Sequence, residues 1–554
     1  MRAMSLSTPA SERFRLPATV EQLVFAASLF WAFTANRLFL AAALKDRGYT
    51  EPATWAYGLA LMVMLTAAHF VLLALVCNRH TVKPVLTVLI TGTAFATHYM
   101  QSFGVYLDPS MMRNVLRTDL AEARELMSWT LLAHLLLYAL VPLLLLWRVR
   151  LVQRRWLRAS AVRLGSIVLA AAVLVGAMLL VFQALASQMR NHKEMRYLVT
   201  PANYLWSIGA VATAQARGAA RPRQAIGLDA APGPRMAART RPLVVVLVVG
   251  ETARAANWGL SGYARQTTPE LARLPVVNFT RVTACGTNTE TSLPCMFAPV
   301  GRRDYDEARI RGSESLLHVV ARAGVGVHWR DNQSGCKGVC EGLSQDEVAS
   351  FNPAGLCSQG RCLDEGLLSG LDERLAALRG GRTTQLLVLH QLGNHGPSYF
   401  RRYPPAFARF APVCAFDDLQ QCTREEITNA YDNALLYTDH VLASLIAKLQ
   451  AAAGTVDSAL LYVSDHGESL GEGNLYLHGL PYAIAPEAQT HVPMVAWFSA
   501  GAPASLGLDA DCLRHRAAQP ATHDHLFHTL LGWLDVKTAL HDPQWDLAQG
   551  CRAP

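Results

Sequence analysis

Between residues 281 and 298 the chain reads RVTACGTNTETSLPCMFA, in which the hydroxyls of Thr287 and Thr289 are among those enclosed by Cys285 and Cys295. Cysteines this close can form a small, rigid disulfide loop that fixes whatever hydroxyl it carries. A threonine alcohol becomes a competent nucleophile when a metal lowers its pKa. Thr289 therefore reads as a nucleophile activated by a metal that the folded domain assembles around it. A Thr-rich surface loop beside a structural disulfide is the alternative for this stretch taken alone.

Glu251, in PLVVVLVVGET, and Asp465 with His466, in SALLYVSDHGES, supply two carboxylate oxygens and an imidazole. Zinc accepts such donors in near-tetrahedral geometry, leaving a fourth position for the Thr289 hydroxyl. A single carboxylate at the end of an apolar run is ordinarily a helix cap or an ion-pair partner. Three such groups and a loop-held hydroxyl favour the metal. His395, in GNHGP, and His478, in NLYLHGLPY, would bind a second metal or donate to a phosphoryl oxygen. Lys337 lies between Cys336 and Cys340. Each of these is more often structural than catalytic when taken singly; together in one pocket they would neutralise a transferring phosphoryl group.

The elements that must position these residues are legible as periodicity. PLVVVLVVGET, QLLVLHQLGNHG (385–396) and SALLYVSDHGES (458–469) are continuous apolar runs, the pattern of strands buried on both faces. Helical stretches such as 425–450 lie between them, so the expected fold from 243 to 554 is an α/β sandwich around a mainly parallel sheet. Ligands bind beyond the carboxyl ends of such strands. That gathers Glu251, His390, His395, Asp465 and His466 at one edge.

The first ~190 of 554 residues hold nearly all the long apolar runs, which explains a mean hydropathy of +0.18. Runs near 21–44, 54–77, 82–102, 129–147 and 164–186 can each cross ~30 Å of hydrocarbon. They predict a five-helix transmembrane domain over 1–187, followed by a juncture helix and linker over 188–242. Arg2, Arg13 and Arg15, then Arg79 and Lys83, then the Arg-rich connection 148–163 mark one side as cytoplasmic. The 243–554 domain then lies on the opposite face, the periplasm in a bacterium. Much of the net charge of +8 is topological and gives no argument for nucleic acid. Ten of eleven cysteines follow the apolar part, which suggests disulfides in an oxidising compartment; zinc ribbons compete only at GCKGVC (335–340). In the outer connection 103–128, Asn114, Thr118 and Glu122 recur every four residues, one polar stripe if the stretch is a single helix. That stripe is either a solvated face or a seat for a lipid headgroup. Arg190, His192, Lys193 and Arg196 follow the last span, where anionic headgroups lie.

At these residues the sequence resembles the phosphoethanolamine transferases that decorate lipid A, including the mobile colistin-resistance enzymes, within the alkaline-phosphatase-like, sulfatase-related superfamily. The resemblance covers nearly the whole chain. It rests on NVLRTDLAEA, RNHKEMRYLVTPANY, VVGETARAANWGLSGYARQTTP, ACGTNTETSLPCMF, WRDNQSGCKGVC, HQLGNHGPSYFRRYP and SDHGESLGEGNLYLHGLPYAIAP. It implies that Thr289 carries a covalent phosphoethanolamine, and that Glu251, Thr289, Asp465 and His466 bind zinc. Lys337, His395 and His478 would contact the phosphoryl group or a second zinc. Asn114, Thr118 and Glu122 would hold the ethanolamine of phosphatidylethanolamine, with lipid A as acceptor and a monomer in the inner membrane. The implied disulfides are Cys285–Cys295, Cys336–Cys340, Cys357–Cys362, Cys414–Cys422 and Cys512–Cys551. Two departures stand out: Asn288 and Glu290 flank the nucleophile where relatives commonly carry smaller or different residues, and THDHLFHTLLG varies a usual Ser-His-Asp-Asn start.

Rival readings have distinguishable requirements. A sulfatase needs Cys or Ser in C/S-x-P-x-R, which 285–295 lacks. A phosphoglycerol transferase shares the topology without this number of cysteines, and transfer to core sugars or another glycan would use the same nucleophile. A non-catalytic receptor would bind no zinc, and the spans lack the charge pairs of a transporter.

Overall fold

The computed structural model describes residues 16–45, 47–219, 222–358 and 360–552. Arg2, Arg13 and Arg15 lie outside the described residues. The chain forms two compact units. One runs through Pro109 and resumes over Ser128–Gly209; the other comprises Ser110–Met127 and the chain from Ala210 onward.

In the first unit, three helices are long and apolar enough to cross a membrane among the described residues: Pro52–Val76, Trp129–Arg148 and Trp156–Asn191. The pair Val20–Thr34 and Arg37–Leu44, bent by 51°, makes a fourth if it counts as one span. Asn36 occupies the bend. Its amide donates to the carbonyls of Trp31 (3.0 Å) and Thr200 (2.8 Å) and accepts from Thr200 N–H (3.0 Å), so the backbone freed by the bend is satisfied. The expected span at 82–102 forms a helix, Val82–Phe103, but its Thr87, Thr91, Thr93, Thr97 and His98 leave it outside the clearly membrane-crossing set. The expected span 164–186 is the middle of a 36-residue helix, about 54 Å long. Arg163, within it, donates to the Ala74 carbonyl (2.7 Å) and to that of Cys77, capping the end of Pro52–Val76.

The second unit is built on an eight-stranded sheet. In chain order its strands are β1 (Leu243–Gly250), β2 (Val277–Thr283), β3 (Gly326–Asp331), β4 (Ser344–Glu347), β5 (Thr384–His390), β6 (Asp457–Ser464), β7 (His491–Phe498) and β8 (Ala521–Thr522), arranged β8-β2-β7-β6-β1-β5-β3-β4. Only β7 runs against its neighbours. β1 is buried throughout, with Leu243, Val245, Leu247 and Val249 in one core and Val244, Val246 and Val248 in the other. Alternate side chains enter opposite layers, which is why the run is apolar without a break. The 28-residue helix Arg424–Ala451 covers one face, started by a Thr423–Glu426 capping box.

The five disulfides implied by the resemblance are present: Cys285–Cys295, Cys336–Cys340, Cys357–Cys362, Cys414–Cys422 and Cys512–Cys551. GCKGVC is therefore a disulfide loop and not half a zinc ribbon. The Cys357–Cys362 bridge closes a two-stranded hairpin in which these two residues face each other, and Cys414–Cys422 ties the segment that leads into helix Arg424–Ala451. Cys512, on the helix Ala510–Arg516, holds Cys551 and with it the end of the chain.

Two expectations need correction. Residues 214–242, expected to be a linker joining two separately folded parts, contain the end of helix Ala202–Ala219 and a segment, 222–242, fastened to the sheet domain. There Gln224 N–H donates to Gly312 (2.7 Å), Ala231–Pro232 pairs with Val536–Lys537, and Asp229 accepts from Ala539 N–H (2.6 Å). The Ala- and Arg-rich composition hid this because the ties are backbone bonds and ion pairs. The second correction concerns 103–128, which contains two short helices, Pro109–Arg117 and Leu120–Glu125. The Thr118 hydroxyl donates to the Asn114 carbonyl (2.9 Å), and the Asp119 carboxylate accepts from Glu122 N–H (2.8 Å), restarting the helix. Asn114, Thr118 and Glu122 therefore do not share one continuous stripe.

Candidate active site

Strand register sets the site. Ser464 is paired with Gly250, so Glu251 and Asp465 leave the sheet side by side, and Asp465 N–H donates to the Gly250 carbonyl (2.9 Å). Thr252, the next residue, has φ of +54°, a strained conformation for a residue with a Cβ. Gly393 lies so close to this turn that a Cβ there would come within 2.6 Å of the Glu251 carbonyl oxygen, the approach that lets Asn394 N–H donate to that carbonyl (3.0 Å).

The nucleophile loop follows β2 and reaches the same edge. Asn288 caps the helix Thr289–Met296, its carboxamide oxygen accepting from Thr291 N–H (2.9 Å). Thr289 is thus the first helical residue, within the positive end of the helix dipole. Its hydroxyl donates to Glu251 Oε2 (3.0 Å) and lies 3.4 Å from His466 Nε2. The other hydroxyl, Thr287, donates to the Leu480 carbonyl (2.6 Å) and holds the His478 loop. Geometry therefore separates the two threonines that spacing could not.

Glu251, Asp465 and His466 are fully buried, and a ligand atom of each lies within 4.8 Å of the others. His466 Nε2 is 3.2 Å from Glu251 and 3.4 Å from Asp465 Oδ2. Its Nδ1 lies 3.0 Å from the Gly467 carbonyl; a proton there donates to that oxygen and leaves Nε2 as the donor atom for a cation. Asp465 Oδ2 is buried and accepts no hydrogen bond among the described residues, which is costly unless a cation takes it. The donor set thus fits a zinc-sized ion. Burial and the adjacent Glu251 push the Asp465 carboxyl up. Burial opposes charge on Glu251 too, yet the His466 ring holds it below the usual carboxylate range. Burial also opposes charge on His466, but Asp465 and Glu251 outweigh it and push the imidazole up.

The remaining predicted residues fall around this cluster. His478 lies 4.4 Å from His466 and 5.4 Å from His395, ring centre to ring centre. Its Nδ1 is 2.7 Å from Glu468, a residue that the sequence pattern did not single out. Burial drives the His395 imidazole well below its ordinary value. His395 Nε2 is 3.5 Å from Glu122, which joins the short helix Leu120–Glu125 to the site. Burial and Asp119 push the Glu122 carboxyl up, against the opposing charges of Arg361, His478 and Lys337. Lys337 donates to the Ser334 carbonyl (3.0 Å) and is 3.7 Å from Glu290. Asn114 lies in the preceding helix, Pro109–Arg117, and its backbone carbonyl accepts from the Thr118 hydroxyl just before the helix that carries Glu122 begins. His390 is oriented by Asp331 (2.9 Å), with its Nε2 buried and without a hydrogen-bond partner among the described residues. No sequence spacing linked Asp331 to His390, or Arg117 to Glu290 (3.1 Å).

A mainly parallel sheet delivering two carboxylates, an imidazole and a helix-start hydroxyl to one edge defines the second unit as a sulfatase-type domain, and the Sulfatase family model matches residues 244–536. The model described as Phosphoethanolamine transferase EptA/EptB matches residues 65–216. Phosphoethanolamine transferase EptA of Escherichia coli K12 is 37% identical over 473 residues, 85% of this chain and 86% of that protein. Phosphatidylethanolamine transferase Mcr-1 of Escherichia coli is 37% identical over 485 residues, 86% of this chain and 89% of that one. The solved integral membrane lipooligosaccharide phosphoethanolamine transferase A of Neisseria meningitidis superposes with a TM-score of 0.92 at 35% identity, covering 97% of this chain and all of that one (100%). The chain belongs to the phosphoethanolamine transferase family.

Proposed function

We propose that the chain moves phosphoethanolamine from phosphatidylethanolamine to lipid A by a ping-pong route through phospho-Thr289. The observation that carries this reading is the Thr289 hydroxyl, 3.0 Å from Glu251 and 3.4 Å from His466, beside an unsatisfied buried Asp465 oxygen. Zinc held by Glu251, Asp465, His466 and the Thr289 oxygen would supply a lowered hydroxyl pKa and neutralise phosphoryl charge. Glu251 accepts the Thr289 hydroxyl's hydrogen bond and so orients its lone pairs. As the Thr289 oxygen bonds to phosphorus its proton passes to Glu251, the bond from phosphorus to the diacylglycerol oxygen breaks, and His478, held by Glu468, gives that oxygen its proton. An oxygen of the acceptor then gives its proton to His478 as it attacks the phosphorus, and Thr289 leaves with the proton returned from Glu251. Lys337 and His395 balance the phosphoryl charge or hold a second zinc, and Glu122, with Asn114 and Thr118 from the segment before it, seats the ethanolamine ammonium.

The site faces the periplasm of a Gram-negative inner membrane, in a monomer with five spans and a cytoplasmic N-terminus. The Arg-rich connection 148–163 and the five disulfides support that orientation. Capping an anionic lipid with an amine weakens binding of cationic peptides such as polymyxins. In cells fed labelled lipid, Thr289→Ala is expected to abolish both the phospho-threonine and the added mass on lipid A. Persistence of either overturns the reading. Added mass on core sugars instead of lipid A would reassign the acceptor alone.

A further inference from the structure

Glu290 follows the nucleophile and is fully buried, yet it contributes no donor atom to the Glu251, Asp465 and His466 cluster. Its carboxylate meets cations from three elements. Arg117, at the end of helix Pro109–Arg117, lies 3.1 Å away, Arg311 of helix Glu307–Gly312 lies 3.4 Å away, and Lys337 of the Cys336–Cys340 loop lies 3.7 Å away. Arg311 also donates to the Glu290 backbone carbonyl. That carbonyl is free because the residue four positions on is Pro294, which has no N–H to complete the helical bond. Arg311 is shared with Glu307 (3.0 Å), which also pairs with Arg113. Four cations thus surround two carboxylates, and the group keeps an excess of positive charge one residue from the attacking oxygen. Lys337 is deeply buried within it, while Arg117 is half exposed at its outer side, with side-chain exposures of 5% and 45%.

Such a cluster next to a phosphoryl-transfer nucleophile would capture any small anion. Glu290 occupies the positions an anion's oxygens would take. We infer that Glu290 is a positioning and selectivity residue: it holds Lys337 and Arg117 in place beside Thr289 and denies the cluster to free phosphate, so that only a phosphate delivered on a lipid, with the added contacts of its other parts, competes successfully. The inference rests on phosphoryl transfer at Thr289 as proposed above.

The test uses the purified full-length protein in detergent with phosphatidylethanolamine as donor. It measures phospho-Thr289 formation and its inhibition by inorganic phosphate. Glu290→Gln is expected to make phosphate inhibit about tenfold more strongly, the scale of one partly hydrated charge–charge interaction. Glu290→Asp keeps the charge one methylene shorter and is expected to leave phosphate inhibition near the wild-type value while slowing turnover through misplaced Lys337. Glu290→Gln combined with Arg117→Gln restores the charge balance and should return phosphate inhibition to within about threefold of wild type. A Glu290→Gln protein with an unchanged melting temperature and unchanged phosphate inhibition overturns the inference, as does equal tightening in Glu290→Asp. If Glu290→Gln fails to fold, Arg117→Gln alone decides: weaker phosphate inhibition supports the cluster, and no change overturns it. Absence of phospho-Thr289 in the wild type would instead overturn the transfer reading.

Discussion

His466 lies between two carboxylates, and in the absence of a cation its ring holds the proton that balances them. A metal bound at that ring, as proposed, would displace the proton, so its affinity would fall about tenfold for each unit by which the pH is lowered while the ring is protonated. The metal-free protein behaves oppositely. A histidine raised in the folded state contributes stability that is complete below its unfolded pKa and is lost as pH rises through the folded one. The gap in melting temperature between zinc-loaded and chelated protein is therefore expected to widen as pH rises from 6 to 8; a constant gap would show that His466 is not displaced. His523 works with the reverse sign. Its Nδ1 accepts from Cys285 N–H (3.0 Å) and its Nε2 faces the Ser464 carbonyl (2.9 Å), an arrangement that only the neutral ring satisfies. Burial lowers its pKa to about 4. The stability it contributes is present above its unfolded pKa and declines as pH falls from about 6.5 toward 4. In unfolding experiments across that window, His523→Gln is expected to flatten the acid-side loss of stability.

Among the elements, the stretch 110–127 is fastened to the second unit by ion pairs along its length: Arg113–Glu307, Arg117–Glu290, Asp119–Arg361 and Glu125–Arg402. The last is almost wholly buried on both sides, with side-chain exposures of 5% and 1%. Removing one partner of such a pair costs about 3–5 kcal/mol, because the other charge stays buried alone. Arg402→Met is expected to lower the melting temperature of the full-length protein sharply, and Glu125→Gln added to it to recover part of the loss. These ties mark where sequence reading stops. Glu251, Asp465 and His466 were legible because each follows a continuous apolar run, and Thr289 because two cysteines bracket it. Lys337 was legible for the same reason as Thr289. Arg117, Arg402 and Asp331 were not, since their partners lie 173, 277 and 59 residues away and no periodicity connects them. The break at Thr118–Asp119 did leave a local signal, a threonine and an aspartate able to end one helix and start the next. The four-residue recurrence of polar side chains concealed it. Between 222 and 242 the fastenings are mainly hydrogen bonds and ion pairs to distant residues, which composition does not encode.

At the scale of the molecule, the chain leaves its membrane unit at Pro109, lends 18 residues (Ser110–Met127) to the second unit, and returns at Ser128. In the proposed topology that connection shares a membrane face with the sheet domain. Leu116 and Leu157 are both exposed, the first in this connection and the second next to Arg158 and Arg163. Leu116→Cys is expected to react with an impermeant thiol reagent in cells with a permeabilised outer membrane, and Leu157→Cys only after the inner membrane is opened. The reverse pattern would invert the assigned topology. Four of the five cystines, at Cys336–Cys340, Cys357–Cys362, Cys414–Cys422 and Cys285–Cys295, join positions 4, 5, 8 and 10 residues apart, and the fifth, Cys512–Cys551, spans 39. Each short staple needs only its own segment, so it can close as that segment emerges from export, before the strands that will flank it have been made. In the proposed topology the loops bearing Thr289 and Lys337 would be cinched during translocation, and the clasp at Cys551 would close last. A cell lacking thiol oxidants outside its cytoplasmic membrane would insert this chain and still leave it unarmed.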